Sequence, residues 1–358
     1  MLYGRRLTAF LFLAVIALPF AGLELFGQAK DDKKKTEKKA EPAKTESKQE
    51  APKDKDSSKS KLEWKFEANK PFYQKMTTKT DQTMKVMNND VTQKQTQTFY
   101  FSWTPQERLP DGKWKLKQEI LGVQMDIDIG GAPIKYDSTA PAAAGNAGNN
   151  PLGEFFKALV GSTFTVTIDP KTYKVAEIKG REEFVNKLIK ANRQMEPLLN
   201  KILSEDSLRE MAEPTFAVVP TDTVETGKKW TRTANLDMGP IGKYKNEYTY
   251  TYQGADKNLD KIDVASKLIY TPPDKTEGIG GLPFRIKSAD LKSKEAKGTI
   301  LFNRGKGRVE KSDMSVELTG TLDIEIGGQQ TKVELSQTQK TDISTSDTNP
   351  VETKATSK

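Results

Sequence analysis

Alternation of apolar and polar residues between turn sequences runs through much of residues 62–343 and constrains the fold more than any other feature. In residues 96–103, Phe99, Phe101 and Trp103 fall on one face of an extended chain, and Tyr100 falls on the other. A two-residue period is typical of a strand with one buried face. Pro-Asp-Gly at 110–112 and Gly-Gly at 130–131 punctuate the pattern, which predicts antiparallel strands joined by tight turns.

Further segments continue this pattern along the chain. Residues 113–130 alternate with a bend expected near Gly122, and residues 164–168 and 175–178 form a hairpin around Asp169-Pro170-Lys171. Tyr248, Tyr250 and Tyr252 share one face of a later strand. Residues 298–341 predict a four-stranded meander with turns near 304–305 and 327–328.

Two stretches have helical spacing instead. Residues 151–161 carry Leu152, Phe155, Phe156 and Leu159 at three- and four-residue intervals and end at Gly161. Residues 182–212 contain a further series of short amphipathic turns. Their apolar stripes indicate contacts with the core rather than a groove for a partner.

The predicted fold class is α+β, with one domain over residues 62–343. It consists of a large curved antiparallel sheet, or two related sheets or half-barrels, with helices near 151–161 and 182–212 packed on the concave face. The remaining segments are a signal peptide at 1–29, a disordered linker at 30–61 and a disordered tail at 344–358. A domain of 282 residues is ample for a large core.

The first 29 residues predict export. Arg5 and Arg6 precede an apolar run from Leu7 to Leu23, and Gly27-Gln28-Ala29 offers small residues at the positions that signal peptidase recognises. An uncleaved anchor is an alternative, because 17 residues is the lower limit for crossing a bilayer. A twin-arginine signal matches only loosely. A lipoprotein is excluded, because lipid attachment needs a cysteine and the chain has none.

The basic charge of the chain lies mostly outside the predicted domain. Residues 30–61 hold 12 lysines against 8 acidic residues, whereas residues 62–343 carry a net charge of only +3. The domain therefore lacks the electrostatic footprint expected for nucleic-acid binding. The lysine- and glutamate-rich linker cannot bury enough apolar surface to order itself, and it is either a spacer or an unconstrained tether.

The absence of cysteine and histidine excludes much chemistry. With Cys 0 and His 0 in 358 residues, no disulfide, no serine–histidine or cysteine–histidine nucleophile and no ordinary zinc, copper or haem site can be built. Paired carboxylates and oxygen-only Ca²⁺ or Mg²⁺ sites remain. We assign no catalytic residue, metal ligand or cofactor.

Two carboxylate pairs share a repeated sequence. Asp126 and Asp128 precede Gly130-Gly131, and Asp323 and Glu325 precede Gly327-Gly328, with Lys135 and Lys332 at matching positions. Each pair lies on one face of its strand and could bind Ca²⁺ or act as acid and base, but a solvated face explains both pairs more simply. The repeat indicates either an old duplication or two hairpins that converged on one turn chemistry.

Two other groups of residues give weaker indications of a ligand site. Gly278-Ile279-Gly280-Gly281 lacks the strand-to-helix context of a phosphate-binding loop. Phe99, Phe101, Trp103 and Trp114 could line a ligand pocket, although four large rings on paired strands are typical of core.

One segment carries a resemblance to a known family. Val219-Pro220 followed by Val224, Gly227 and Trp230 resembles the P-x-x-x-V-x-x-G-x-x-W segment of an exported bacterial β-rich family of unknown function. The Thr/Gln-rich residues 73–95, the 135–138 segment and the 164–180 hairpin also match. The resemblance implies export, often as a lipoprotein, and no activity. A more distant topological analogy is to periplasmic lipoprotein carriers, which shelter acyl chains under helices.

These observations favour a non-enzymatic cell-envelope protein that binds an apolar or amphiphilic ligand, at residues the sequence does not identify. Its partners would be a lipid, another apolar ligand or envelope proteins, with membrane contact only through an uncleaved N-terminal segment. The alternative is a structural or adhesion module on a flexible stalk. An enzyme would have to work with carboxylates alone.

Overall fold

The computed structural model describes residues 59–87, 89–140, 151–274, 282, 284–294 and 296–352. The predicted signal peptide, most of the predicted linker, residues 141–150 and Gly278-Ile279-Gly280-Gly281 lie outside the described residues. Within them, no helix is both long and apolar enough to span a bilayer.

The described residues form a 13-stranded sheet with four α-helices. The strands are β1 Phe72–Val86, β2 Asn89–Arg108, β3 Trp114–Ile129, β4 Ala132–Asp137, β5 Thr163–Ile168, β6 Val175–Lys179, β7 Lys229–Asp237, β8 Lys243–Asp256, β9 Leu259–Thr271, β10 Arg285–Ser293, β11 Ala296–Asn303, β12 Arg308–Ile326 and β13 Gln329–Ser346. The helices are α1 Pro151–Leu159, α2 Arg181–Ala191, α3 Glu196–Ile202 and α4 Glu205–Phe216. Short 3₁₀ turns occupy Arg193–Met195 and Gly239–Ile241. The predicted fold class is confirmed.

All strand pairs are antiparallel. Their order is β6-β5-β3-β2-β1-β13-β12-β11-β9-β8-β7, with β4 added to β3 and β10 added to β12. The five longest strands, β3, β2, β1, β13 and β12, have 15 to 20 residues each and are consecutive in this order. The N-terminal and C-terminal strands of the sheet, β1 and β13, pair without interruption from Tyr73 with Ser346 to Val86 with Val333.

Helix α4 joins the two ends of the sheet. It packs against both β6 and β7, which are the edge strands. The Ser207 hydroxyl donates to the Asp237 carbonyl at 3.3 Å, and the Val175 amide donates to Glu213 at 3.4 Å. Because one helix contacts both edges, the sheet must curve strongly around the core.

Capping residues and apolar spacing explain the bounds and the buried faces of the helices. Ser204 caps α4 by accepting a hydrogen bond from the Ser207 amide at 3.1 Å. In α2, Phe184, Val185 and Leu188 form the buried stripe expected from their spacing. Helix α4 continues past Ala212 to Phe216, through Pro214, so the predicted end at 212 is four residues short.

One face of the sheet, which we call the inner face, is the face that α4 covers. Phe216 at the end of α4 contacts Trp103 of β2 with ring centroids 5.4 Å apart, and it also contacts Trp64 at 5.3 Å. The Trp64 indole donates to the Phe216 carbonyl at 3.0 Å. These rings form an apolar plug at one end of the inner face.

The predicted four-stranded meander at 298–341 is wrong. The region holds three strands, β11, β12 and β13, because β12 runs unbroken for 19 residues and β13 for 18. Gly320 does not interrupt β12. It lies inside the strand with a φ of 150° and is not part of a turn.

The folded chain also extends beyond the predicted domain bounds of 62 and 343. Ser60 forms a bridge with Val224, and β13 continues to Ser346. Asp347 then pairs with Lys306 at 2.6 Å and with Arg308 at 2.7 Å, which holds the chain end against the β11–β12 turn.

Candidate functional site

The predicted carboxylate pairs face outward and are engaged by neighbours. Asp126 pairs with Lys135 at 3.0 Å, and Asp128 accepts the Gly131 amide at 2.8 Å. Glu325 pairs with Lys287 at 2.8 Å, and this hydrogen bond lowers the pKa of the Glu325 carboxyl. In the part of the chain that the structure describes, no group of three acidic residues could hold a metal ion.

The two repeated hairpins have the same turn geometry. Gly130 and Gly131 have φ values of 58° and 88°, and Gly327 and Gly328 have values of 58° and 83°. Two consecutive residues with positive φ make a tight hairpin that glycine alone forms without strain. The turns match, but shared turn chemistry and duplication both predict this result.

The aromatic residues singled out from the sequence do not form one pocket. Trp103 is buried against Phe72 and Phe216, and its indole donates to Gln74 at 2.8 Å. Phe99 stacks on Phe101, whereas Trp114 contacts Phe66 instead. The rings therefore belong to the core near the plug.

The family-like segment fixes the start of β7. Val224 is buried and bridges to Ser60, and the Gly227 amide, with φ 88°, donates to the Tyr252 carbonyl at 2.8 Å. Trp230 stacks on Tyr250 with centroids 5.5 Å apart. Each described contact of the motif is structural.

An ion pair between a buried carboxylate and a partly exposed arginine lies beside this segment. Asp260 is 1% exposed and accepts hydrogen bonds from Tyr252 at 2.7 Å and from Arg304 Nε at 3.0 Å. Arg304 also donates to Ser60 at 2.9 Å, and its hydrogen bond with Asp260 raises the pKa of its guanidinium. Since its polar groups are mutually satisfied, the cluster ties the N-terminal segment to the sheet rather than forming a site.

The middle of the inner face carries a polar surface that sequence reasoning did not single out. Nine uncharged residues lie on three adjacent strands, and we call them the amide patch. They are Gln93, Gln95 and Gln97 of β2, Gln82, Thr80 and Thr78 of β1, and Gln337, Gln339 and Thr341 of β13.

Strand register arranges the amide patch in three rows across the sheet. Gln82 pairs with both Gln93 and Gln337, Thr80 pairs with Gln95 and Gln339, and Thr78 pairs with Gln97 and Thr341. At standard strand spacings this array covers about 10 Å by 14 Å. It is large enough for an extended head group.

Apolar side chains surround the amide patch on all four sides. The strands beyond it contribute Met125, Ile127 and Ile129 from β3 and Met314, Val316 and Leu318 from β12. Along the strands it is bounded by Met76, Phe99 and Ile343 at one end and Met84, Val91 and Leu335 at the other. Most of these side chains are buried, and the rest are half-buried.

Charged residues on the same strands point to the opposite face. Lys79, Asp81, Lys94 and Lys340 alternate with the amide patch and are exposed. The inner positions are uncharged over residues 72–86 of β1, 91–103 of β2, 118–129 of β3, 312–326 of β12 and 331–345 of β13. This five-strand face is therefore free of charge.

Several polar atoms of the amide patch are buried without a hydrogen-bond partner among the described residues. They are Gln97 Nε2 and Oε1, Gln95 Nε2, Gln82 Nε2 and Thr80 Oγ1. The exposed fractions of these four residues are 1–4%. By contrast, Thr78 and Thr341 hydrogen bond to each other at 3.0 Å, and Gln93 donates to Gln95 Oε1 at 2.9 Å.

Comparison with known proteins places the chain in a family. The family model described as "Family of unknown function (DUF6263)" matches residues 111–309, which is more than half of the chain, so the chain belongs to that family. The match includes the Pro220–Trp230 motif. No curated protein matches the sequence.

Solved structures show only distant likenesses. Lipovitellin, in a structure titled for its lipid–protein interactions, matches with a TM-score of 0.40 and 10% identity over 79% of this chain and 26% of that one. This chain thus spans about a quarter of the lipovitellin chain. DynF of Micromonospora chersina matches with a TM-score of 0.19 and 6% identity, over 81% and 86% of the two chains. OccK7 of Pseudomonas aeruginosa matches with a TM-score of 0.22 and 6% identity, over 77% of this chain and 99% of that one.

Proposed function

We propose that this protein is a non-enzymatic binder of an apolar or amphiphilic ligand, which it holds against the inner face of the sheet. The observation that carries this proposal is the five-strand inner face, which is free of charge and combines apolar side chains with buried amides that have no partner among the described residues. Unpartnered buried polar atoms cost about 1–3 kcal/mol each, so a fold retains them where something else satisfies them.

The same face supports a binding role over catalysis. General acid–base chemistry needs an ionisable group within hydrogen-bond reach of the substrate. The inner positions of β1, β2, β3, β12 and β13 defined above offer none. The buried carboxylate of Asp260 is occupied by Arg304 and Tyr252.

The leader sequence supports a place for this function outside the cytoplasm. A positive pair, an apolar run and a small-residue cleavage site precede the domain. An apolar or amphiphilic ligand that must cross an aqueous compartment of the cell envelope needs a protein to cover its chain, because exposed apolar surface is unfavourable in water. We therefore propose an exported envelope protein.

Extraction of the full chain tests the binding proposal. The protein is purified from its own host without detergent, extracted with organic solvent and analysed by mass spectrometry. We expect an amphiphile at close to one molecule per chain, absent from a matched extract of an unrelated exported protein. A ligand-free protein that also fails to take up a fluorescent fatty-acyl probe would contradict the proposal.

Two further outcomes would reassign the inner face. If the probe binds only after proteolytic removal of the N-terminal segment, the natural occupant is the chain's own apolar leader. If fractionation leaves the protein in a detergent-resistant, wall-associated pool without ligand, the structural or adhesion role applies. Either result would contradict the proposed function.

A further inference from the structure

The amide patch has the chemistry of a recognition surface for one part of a ligand. A glutamine side chain offers two donor hydrogens and an acceptor oxygen, and a threonine hydroxyl both donates and accepts. Gln97 has neither its nitrogen nor its oxygen paired among the described residues, although it is 1% exposed. A group that both donates and accepts hydrogen bonds would therefore find complementary atoms here.

The surroundings of the amide patch exclude a charged group as the preferred occupant. Lys79, Lys94 and Lys340 lie on the outer face, and the five-strand inner face defined above has no cation to pair with a phosphate or carboxylate. Burying an uncompensated ion is far costlier than burying a neutral polar group. Neutral hydroxyl and amide groups satisfy glutamines without this cost.

The apolar border indicates how such a group is attached. Met125 and Ile127 border the patch on one side, and Met314 borders it on the other, all at most 3% exposed. A ligand with a neutral head and a hydrocarbon chain can place the head on the amides and the chain on this border. Apolar contact supplies affinity, and the hydrogen bonds supply orientation and selectivity.

We propose that the amide patch binds the uncharged, hydrogen-bonding head group of an amphiphile, one that carries several hydroxyl or amide groups. This inference rests on the proposed function and adds to it the chemical class of the ligand. The head group spans the three rows of the array, with Gln95 and Gln97 as its principal contacts.

A series of probes with one chain length and different heads tests this inference on the full chain. Dodecyl maltoside presents hydroxyls, dodecanoyl-glycyl-glycine amide presents amides, and dodecylphosphocholine and dodecyl sulfate present charges. All are titrated below their critical micelle concentrations by calorimetry. We expect one or both neutral probes to bind roughly tenfold or more tightly than the charged probes, as two or three hydrogen bonds predict. The stronger neutral probe distinguishes a glycosyl head from a peptide-like head.

Paired variants locate the binding. Gln95→Met with Gln97→Met keeps the size and shape of both side chains and removes their hydrogen bonding. We expect the double variant to lose roughly tenfold in affinity for the neutral probe and little for dodecyl sulfate. The matched control is Gln330→Met, which lies exposed on the outer face of β13 and should leave all affinities unchanged.

Thermal unfolding of the same variants separates recognition from a structural role. Gln97 Nε2, Gln97 Oε1 and Gln95 Nε2 have no partner among the described residues, and the only hydrogen bond seen there that the substitutions remove is the one from Gln93 to Gln95 Oε1. We therefore expect the ligand-free double variant to melt close to the wild-type temperature. A marked fall in its melting temperature would mean that the amides hold the fold together, and it would overturn this inference.

The outcomes distinguish the two proposals. Failure of every probe to bind would contradict the proposed function itself. Binding with no preference among heads, or with a preference for the charged heads, would leave the proposed function standing and overturn the head-group assignment. Unchanged selectivity in the double variant would also overturn it.

Discussion

At the scale of single residues, two kinds of buried polar group behave in opposite ways. Asp260 is surrounded by its own donors, Arg304 and Tyr252, and is structural. Gln97 is as deeply buried as Asp260 and has no partner among the described residues. Burial alone does not mark a site. The hydrogen-bonding capacity that a fold leaves unused is the more informative quantity.

The Asp260–Arg304 pair gives the first prediction. Arg304→Ala leaves a carboxylate that is 1% exposed without its cation, which should lower the free energy of unfolding by about 3–5 kcal/mol. Urea denaturation measures the change. Arg209→Ala removes an exposed pair with Asp206 and serves as the control, with an expected loss of under about 1 kcal/mol. Equal losses in the two variants would contradict the structural role of the cluster.

Two half-buried tyrosines give a second prediction, for alkaline pH. Burial raises the pKa of Tyr244 to about 12 and also raises the pKa of the neighbouring Tyr270. Above pH 10 the unfolded chain loses this proton while the folded chain keeps it. Stability should therefore fall by up to about 1.4 kcal/mol per pH unit for Tyr244 between pH 10 and 12.

Absorbance at 295 nm and urea melts across this pH range measure the effect together. The Tyr244→Phe variant, which cannot ionise at this position, should show a shallower decline in stability. A decline as steep as that of the wild type would show that Tyr244 does not contribute.

At the scale of elements, the long hairpins decide where side chains meet. The uninterrupted pairing of β1 with β2 and β13 brings glutamines more than 240 residues apart in sequence into one row, as Gln93 and Gln337 show on either side of Gln82. A one-residue slip of either neighbour would bring Lys94 or Lys340 to the inner face. The register is thus set by the cost of burying charge.

Substitution of Gly320 tests how closely strands β12 and β10 pack against each other. A Cβ at this position of β12 would collide with the backbone of Asp290 in β10, and its φ of 150° disfavours a side chain. Gly320→Ala should cost more than about 2 kcal/mol and release β10, seen as faster amide exchange over 285–293. Gly328→Ala meets no atom within 4 Å and should cost only about 1 kcal/mol for its positive φ. Protected amides in β10 of the first variant would contradict this account.

At the scale of the whole molecule, a curved sheet separates two surfaces with different chemistry. On the five strands β3, β2, β1, β13 and β12, the outer face carries the charges, and the inner face carries the amide patch and its apolar border. Helix α4 maintains the curvature by contacting both edge strands. The concave side therefore depends on elements far apart in the chain.

A charge placed on the inner face tests this division. Gln97→Glu should lower stability by several kcal/mol at pH 7, because burial opposes ionisation and raises the pKa of the new carboxyl above its unfolded value of about 4.3. The loss should diminish as the pH falls through the raised folded-state pKa and should be smallest below about 4.3, where the carboxyl becomes protonated in the unfolded chain as well. Gln330→Glu, on the exposed outer face, should be nearly neutral at either pH. Equal behaviour of the two variants in urea melts would contradict the assignment of faces.

Local patterns in the sequence predicted most of the elements. The period of Phe99, Phe101 and Trp103 identified β2, and the Gly-Gly pairs located both hairpin turns. The expected bend near Gly122 coincides with a bulge opposite Tyr100. The sequence predicted four strands over 298–341 where the structure has three, because the length of a strand depends on the strands it pairs with. Strand β12 pairs with three others, β10, β11 and β13.

The amide patch was visible only in part. Gln93, Gln95 and Gln97 alternate with Lys94 and Thr96, and Gln337 and Gln339 repeat the pattern around Thr338. A period-2 run of glutamines suggests a polar face, and sequence reasoning assigns such a face to solvent. The glutamine face lies inside because the opposite face of the same strands carries lysines and aspartates, and burying those charges would cost more free energy than burying the neutral amides.

The sequence by itself determined the class of fold, because alternation, turn residues and helical stripes act over a few neighbouring positions. It also excluded metal and nucleophile chemistry that needs cysteine or histidine, since no fold can supply absent side chains. Only the tertiary structure decided which face is inner and which glutamines share a row. Those properties arise from the pairing of β1 with β13 across the length of the chain, and no local pattern encodes such a contact.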